Sequence, residues 1–508
     1  MNAVATSQAQ WCGDCAARGA ALEAELAVVQ AKVAMQEQEL AELRRRLAAA
    51  QEIAFKPRES FRVPPLEDDP RSAGAPQGGP RPRGQQRGAR GHGRRLHPQL
   101  PTEDVILQPD PSDLRCPNCG APRVRIPGTA DTEILDWRQS ARRVLYHRPR
   151  YVDTCNCKTT PAVIGAPPPL RPIPRGNLSA AFLANLLVLK FALALPLERI
   201  LLLLSVQGLD LSPGSVTGMF ERIIDYLRPL HAAYLAHHLE ANAWHLDETR
   251  WKVWTKEWPS PNGWLWVAVS LQVIVFIIDP HRSIAALRRL FPQDANARGL
   301  VQSDMYVVYT ENTFDPDRFT MIKCWAHVRR HIFRAATTDQ DLAVWSRHWI
   351  ERVRQMYRLV RARRRSPDDP SHQAALEAHL DKMFRTLSWQ LRQPASDAKR
   401  KVLEMMAWHW HELVAFAHHP DAVPDNNAAE RALRRPALGR KNYQGSRAAW
   451  AADLAAAMFS ISETLRLWNI DPVDYLTRYL DACALAGGRA PADLTPFLPW
   501  QTPRGPAP

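Results

Sequence analysis

The sequence predicts a multidomain α/β protein: a mixed-sheet core interrupted by a long helical block, preceded by a coiled coil, a small cysteine-bearing module and a pair of helices. Three observations carry that expectation. AWHLD (243–247), GWLWVAVS (263–270), VIVFIID (273–279) and ARGLVQSD (297–304) are β-branched and aromatic runs that read as strands, with SIAALRRLF (283–291) as a helix before the last. From about residue 333 to 420 the pattern is helical, rich in Arg and Trp, and no strand interrupts it. At 508 residues, 45% of them apolar, the chain has material for two to four domains and at least one sizeable core.

At the beginning of the chain, Cys12 and Cys15 form a CxxC pair that runs directly into a helix without a preceding strand. That context disfavours redox chemistry and leaves a metal clip or ordinary thiols. Leu22, Leu26, Val29, Val33, Leu40, Leu43 and Leu47 then recur at steps of four and three, with Gln36 at the one polar seam position. This heptad repeat predicts a coiled coil, buried best against a second copy or else against its own domain. RSAGAPQGGPRPRGQQRGARGHGRRLHPQLP follows, with seven arginines and no acid, a composition that builds no core and suits a flexible segment lying along phosphates.

Cys116 and Cys119 (CPNC) and Cys155 and Cys157 (TCNC) bracket β-favouring pieces such as RVRI and RRVLYH. Four thiolates suit a structural tetrahedral Zn2+, although the second pair has one spacer residue where two are usual; His147 is a substitute ligand and buried cysteines are the alternative. Between 180 and 240 the chain reads as helices, broken at QGLDLSPGS, where Ser212 can cap and Pro213 can take the first helical position. The stripe Val216, Met219, Phe220, Ile223, Ile224 and Leu227 fits either a helix-turn-helix reader of DNA or a plain helical hairpin. The resulting division is 1–15 tail, 16–55 coiled coil, 56–103 basic linker, 104–170 zinc-binding module, 171–240 helical DNA-binding unit, 241–335 and 421–483 core, 336–420 helical insertion and 484–508 tail.

Lys and Arg number 66 against 52 Asp and Glu, a formal charge of +14, and the pI is near 9.6. Such a balance asks for a polyanionic partner. The apolar stretch from Ala180 is interrupted by Lys190, Pro196, Glu198 and Arg199, so it reads as buried helix and not as a membrane span. MNAVATSQAQ lacks the features of a signal peptide, and the cytoplasm is the expected location.

Breaking a phosphodiester without a covalent enzyme intermediate calls for carboxylates from separate elements around divalent cations. Asp247 and Asp304 stand at the ends of strand-like runs, where α/β folds commonly place sites. Glu430 falls early in an expected helix that begins near Asn426 and Asn427, followed by Arg431, Arg434, Arg435, Arg440 and Lys441, candidates for the DNA backbone. Spacing alone does not choose these acids over Glu248, Asp279, Asp315 or Asp425.

HLDETRW, GLVQSDMYVVY, KCWAHVRR, DNNAAERALRRPALGRKN and SISETLRLWNIDPVDYL occur in that order, and together they make the chain resemble the insertion-sequence-66 (IS66) family of bacterial transposases over nearly its whole length. The resemblance implies a ribonuclease-H-like core with a helical insertion before the last acid. It assigns the catalytic, metal-binding acids to Asp247, Asp304 and Glu430, with two Mg2+ ions, or Mn2+, as cofactor. It also implies double-stranded DNA as substrate (element ends and target), 3′-end cleavage followed by strand transfer, and accessory element-encoded proteins, while the heptad repeat points to a homo-oligomer. Cys324 and His327 form a Cys-x-x-His pair beside the core, read as core support over half a zinc site. Met305 stands where glycine is common in the family, and KNYQGS is shorter than usual. A non-catalytic zinc- and helix-containing DNA-binding regulator, or a decayed transposase, is the rival reading; an RNA-directed nuclease is a third.

Overall fold

The computed structural model describes residues 140–152, 163–310 and 313–501. The first cysteine pair, the heptad repeat, the basic linker and the four cysteines of the expected zinc module lie outside the described residues. Two short strands, β1 (Arg150–Val152) and β2 (Val163–Gly165), pair antiparallel. RRVLYH, read from the sequence as a β-favouring piece, forms no strand, and its Val144, Leu145 and Tyr146 are exposed.

The apolar stretch that follows folds as α1 (Ala180–Leu187), a π-helical turn (Val188–Ala192) and α2 (Leu197–Val206), then α3 (Pro213–His238). Among the described residues no helix is long and apolar enough to cross a membrane. Ser179 and Ser212 cap α1 and α3 through their hydroxyls, which accept from Phe182 and Ser215 backbone N–H groups, and Pro213 opens α3 where a missing N–H does no harm. Val216, Phe220, Ile223, Ile224 and Leu227 all turn into one hydrophobic core with the sheet. Any groove contact by α3 therefore falls to its polar face.

The sheet begins as an antiparallel meander, β3 (Ala243–Val253), β4 (Asn262–Val269) and β5 (Ile274–Asp279). After α4 (Ile284–Leu290), β6 (Gly299–Ser303) pairs parallel to β3, and β7 (Phe319–Lys323) parallel to β6. The order is β5-β4-β3-β6-β7, with β8 (Gly445–Ser446) paired parallel to the far end of β3. Two glycines permit the close approaches. A Cβ at Gly299 (φ +142°) would stand 1.9 Å from the Asn242 carbonyl oxygen, and one at Gly445 (φ +145°) 2.1 Å from that of Lys252.

The helical block comprises α5 (Trp325–Thr338), α6 (Ala343–Arg365), α7 (Pro370–Leu391), α8 (Asp397–Trp408) and α9 (Trp410–Val414). It folds around a second apolar core, built on Trp325, Trp349, Met356, Leu387, Leu403 and Phe416. Buried indole N–H groups need acceptors, and Trp345 and Trp349 both donate to Gln390 Oε1, at 2.9 and 3.0 Å.

The chain returns to the sheet through α10 (Asn427–Ala432) and α11 (Arg434–Tyr443), then α12 (Ala449–Leu467) and α13 (Pro472–Leu485). The expected single helix after Asn426 is broken at Leu433, because Pro436 has no N–H to continue the ladder. α12 covers the edge strand β5: the Ser460 hydroxyl accepts from Phe276 N–H at 2.8 Å, and Thr464 Oγ1 accepts from Ile274 N–H at 3.0 Å. An edge whose donors are satisfied by helix hydroxyls is closed to other strands.

Candidate active site

Asp247 lies inside β3, not after it as the sequence suggested. β3 continues to Val253 because β4 stays paired with it as far as Lys252, whereas pairing with β6 ends at His245 and Gln302. Asp247 is thus on the central strand at the point where β6 leaves the sheet. Carrying the β3–β6 register forward by two residues sets Asp247 level with Asp304, the first residue beyond β6. Adjacent parallel strands and a one-residue overrun bring together two acids separated by 57 positions.

Glu430 is carried by α10, in its first turn. The start of that helix is pinned by Asn426, which is fully buried. Its side-chain N–H donates to the Leu246 carbonyl at 2.6 Å, its Oδ1 accepts from His245 Nδ1 at 3.2 Å, and its backbone N–H meets Cys324 Sγ at 3.2 Å. Trp325 N–H also donates to the Pro424 carbonyl at 2.8 Å. One buried amide therefore ties Glu430 to the strand segment that bears Asp247 and to the opening of α5.

The electrostatics agree with this juxtaposition. Burial raises the Asp247 carboxyl well above its ordinary range, and the charges of Glu248, Asp304 and Glu430 push the same way, opposed by the Glu248 N–H that donates to Asp247 Oδ1 at 2.9 Å. Among the described residues no three His, Cys, Asp or Glu side chains stand in an arrangement ready to hold a metal ion. In donor chemistry the acids fit a hard divalent cation: the set is carboxylate oxygen, and the side-chain charges that act most on Asp247 are those of the neighbouring acids Glu248, Asp304 and Glu430. Joint coordination would require carboxylate side-chain rotation.

The structure also reveals a supporting layer that the sequence did not single out. Glu248, beside Asp247 in β3, is buried and receives hydrogen bonds from Tyr309 Oη, Arg282 Nη2 and Arg282 Nε, the last at 2.8 Å. The Arg282 guanidinium lies 3.5 Å from the Tyr306 ring centroid, and Tyr306 N–H donates to Asp304 Oδ1 at 2.9 Å. Lys323, fully buried at the end of β7, donates to the Tyr309 carbonyl at 2.6 Å. The loop after β6 is thereby clamped to β3 through DMYVVY. Alternation along β3 could have flagged Glu248 as an acid on the Trp244 and Leu246 face, where a carboxylate needs partners.

Cys324 supports the core as expected: it is buried, and burial pushes its thiol up to about 12. His327 differs from that expectation. Its Nε2 is 3.9 Å from Glu430 Oε1, its Nδ1 is buried with no hydrogen-bond partner among the described residues, and burial lowers its pKa while Asp304 and Glu430 oppose the shift. Arg330 Nη2 stands 3.8 Å from the same Glu430 oxygen.

Of the five basic residues expected to meet DNA, Arg431, Arg434 and Lys441 are exposed. Arg435 pairs with buried Glu463 at 3.0 Å, and Arg440 donates to Thr249 Oγ1 at 2.7 Å and to the Arg250 carbonyl. These two are engaged in holding α11 to the rest of the fold.

A family model described as "Transposase IS66 family" matches residues 175–454, more than half of the chain and all three acids. The chain belongs to the IS66 transposase family. Similar relatives include two proteins of Sinorhizobium fredii (strain NBRC 101917 / NGR234), described as uncharacterized protein y4hP and uncharacterized protein y4jD. The first is 26% identical over 80% of this chain and 76% of its own length, the second 27% identical over 82% and 83%. Membership makes this chain a transposase and DNA the partner its family implies.

Proposed function

We propose that the chain cuts and rejoins DNA at the ends of its element through Asp247, Asp304 and Glu430. The observation that carries this reading is the register that sets Asp247 level with Asp304, with Glu430 brought in by Asn426. The order β5-β4-β3-β6-β7, three antiparallel strands followed by two parallel to the first, supports the ribonuclease-H-like core that the resemblance implies.

Asp247, Asp304 and Glu430 would hold two Mg2+ ions, or Mn2+, which when bound neutralise charge on the phosphodiester and increase the acidity of the attacking water or hydroxyl. The protein's own part is alignment. Glu248, Arg282 and Tyr306 fix the loop that bears Asp304, Asn426 fixes the helix that bears Glu430, and exposed Arg431, Arg434 and Lys441 take the DNA backbone. Water attacks the scissile phosphorus in line and the 3′ oxygen departs, taking up a proton. The freed 3′ hydroxyl then loses its proton and attacks a target phosphodiester, displacing a second 3′ oxygen, so one set of residues serves two chemically equivalent displacements. Structural zinc at Cys116, Cys119, Cys155 and Cys157, self-association through Leu22 to Leu47, accessory element-encoded proteins and a cytoplasmic setting complete the proposal.

The test is full-length protein with Mg2+ and a duplex bearing an element end. Asp247→Asn, Asp304→Asn and Glu430→Gln are each expected to bind the duplex with an affinity near that of wild type while cleavage falls by about 100- to 1,000-fold, the scale of losing a transition-state charge partner. Normal cleavage by any of the three removes that residue from the site.

A further inference from the structure

α5 is amphipathic in an unusual place. Val328, Ile332 and Ala335 face the core of the helical block, whereas His327, Arg330, His331 and Arg334 follow one another at helical spacing on the other side, with Arg330, His331 and Arg334 exposed. This second face looks toward the acids: His327 and Arg330 approach Glu430 at 3.9 and 3.8 Å, and the charge of Asp304 acts on both His327 and His331. The Arg330 side chain is 49% exposed and that of Glu430 31%, so their contact is a long, hydrated ion pair of a kind that contributes little and exchanges readily. Among the described residues Arg334 has no acidic partner within 4 Å. A cationic helix face beside carboxylates that must turn toward metal ions is left needing another anion, and the anion delivered to such a site is the phosphate backbone.

We propose that Arg330 and Arg334 grip consecutive phosphates of the DNA strand being cut, Arg330 exchanging the Glu430 carboxylate for a phosphate as the site fills. The two side chains leave the helix about 6 Å apart along its axis, room for two phosphates of one strand. A guanidinium offers paired N–H donors to phosphate oxygens, and one placed beside the reacting centre fixes the register of the strand as well as its affinity. The inference rests on the reading of Asp247, Asp304 and Glu430 as the reacting site, and neither residue is among the basic positions that follow Glu430.

The experiment measures binding of full-length protein to an element-end duplex in Ca2+ as a function of salt. Each phosphate contact removed should lower the slope of log K against log salt by about 0.9, so Arg330→Gln with Arg334→Gln is expected to lower it by about 1.8 and Arg334→Gln alone by about 0.9. Lysine at both positions should restore most of the slope. Arg400→Gln, in the same helical block but paired with Asp397 and Glu404, should leave it unchanged. A wild-type slope in the Arg334→Gln protein, which alters only an exposed side chain, overturns the proposal. A reduced slope together with normal cleavage by Asp304→Asn would retain the grip and reject the acids, so the two readings fail separately.

Discussion

Ionising Asp247 is unfavourable: the residue is part-buried on the central strand, with Glu248 next to it and Asp304 and Glu430 facing it. Its folded-state pKa lies above the unfolded value, so the folded state binds the proton more tightly. The resulting loss of stability is absent below the unfolded carboxyl pKa near 4, grows as pH rises through that value and is complete above the folded pKa. Without divalent metal, Asp247→Asn is therefore expected to melt higher than wild type at pH 7, by roughly 1–2 °C for each kcal/mol relieved in a chain of this size, with the advantage vanishing near pH 3. Calorimetry checks this, and a variant that melts lower at pH 7 contradicts it. Asn426 is the counterpart at residue scale: it carries no charge, yet two of its polar atoms meet β3, at His245 and Leu246, and a third meets Cys324 at the opening of α5.

At the scale of elements, β3 organises the molecule. It pairs with β4, β6 and β8, and the two glycine approaches, at Gly299 and Gly445, are both to backbone at its ends. Gly299→Ala places a methyl where the Asn242 carbonyl stands, so β6 and the Asp304 loop must shift. We expect a loss on the order of 1–3 kcal/mol in urea unfolding, together with weaker cleavage. Gly218→Ala in α3, where the new methyl meets nothing within 4 Å, should instead stabilise by about 0.5–1 kcal/mol. The four strands read from the sequence are strands, because each is a β-branched or aromatic run long enough to show its pattern. β7 and β8 carry no such signal: FTMIK is five residues ending in a lysine, whose burial is explained by its partners, the Tyr309 carbonyl, Ser303 Oγ and Glu412. Glu430 at the head of a short helix was legible from its Asn-rich start, whereas the break at Leu433 and the engagement of Arg435 and Arg440 depend on neighbours far along the chain. The acids beside His327 were hidden for the same reason, since they come from the loop after β6 and from α10.

For the molecule as a whole, two apolar cores place the acids at a junction. The sheet core holds Asp247 and Asp304, and the helical block, with its own core, sets α5 alongside Glu430. The sheet core contains histidines that must stay neutral: burial pushes His231 and His238 down to about 4, and their Nε2 atoms donate to the Phe276 and Leu290 carbonyls at 3.0 and 2.7 Å. A folded-state pKa below the unfolded value near 6.5 means the unfolded chain binds the extra protons. Stability is then complete above about pH 6.5 and is lost as pH falls toward 4. Between pH 7 and 5 each histidine should account for roughly 2 kcal/mol, so the fall in unfolding free energy over that range should be smaller by about that amount in His231→Asn. An identical fall in the variant assigns the pH dependence elsewhere.

The central claim is that three acids from β3, the β6 loop and α10 share divalent cations. Electron paramagnetic resonance of Mn2+ titrated into the full-length protein bound to an uncleavable element-end duplex counts those ions directly. Two tightly bound Mn2+ per active site are expected for wild type, with at least one lost in each of Asp247→Asn, Asp304→Asn and Glu430→Gln. The same number of bound ions in wild type and in the triple variant would contradict the account.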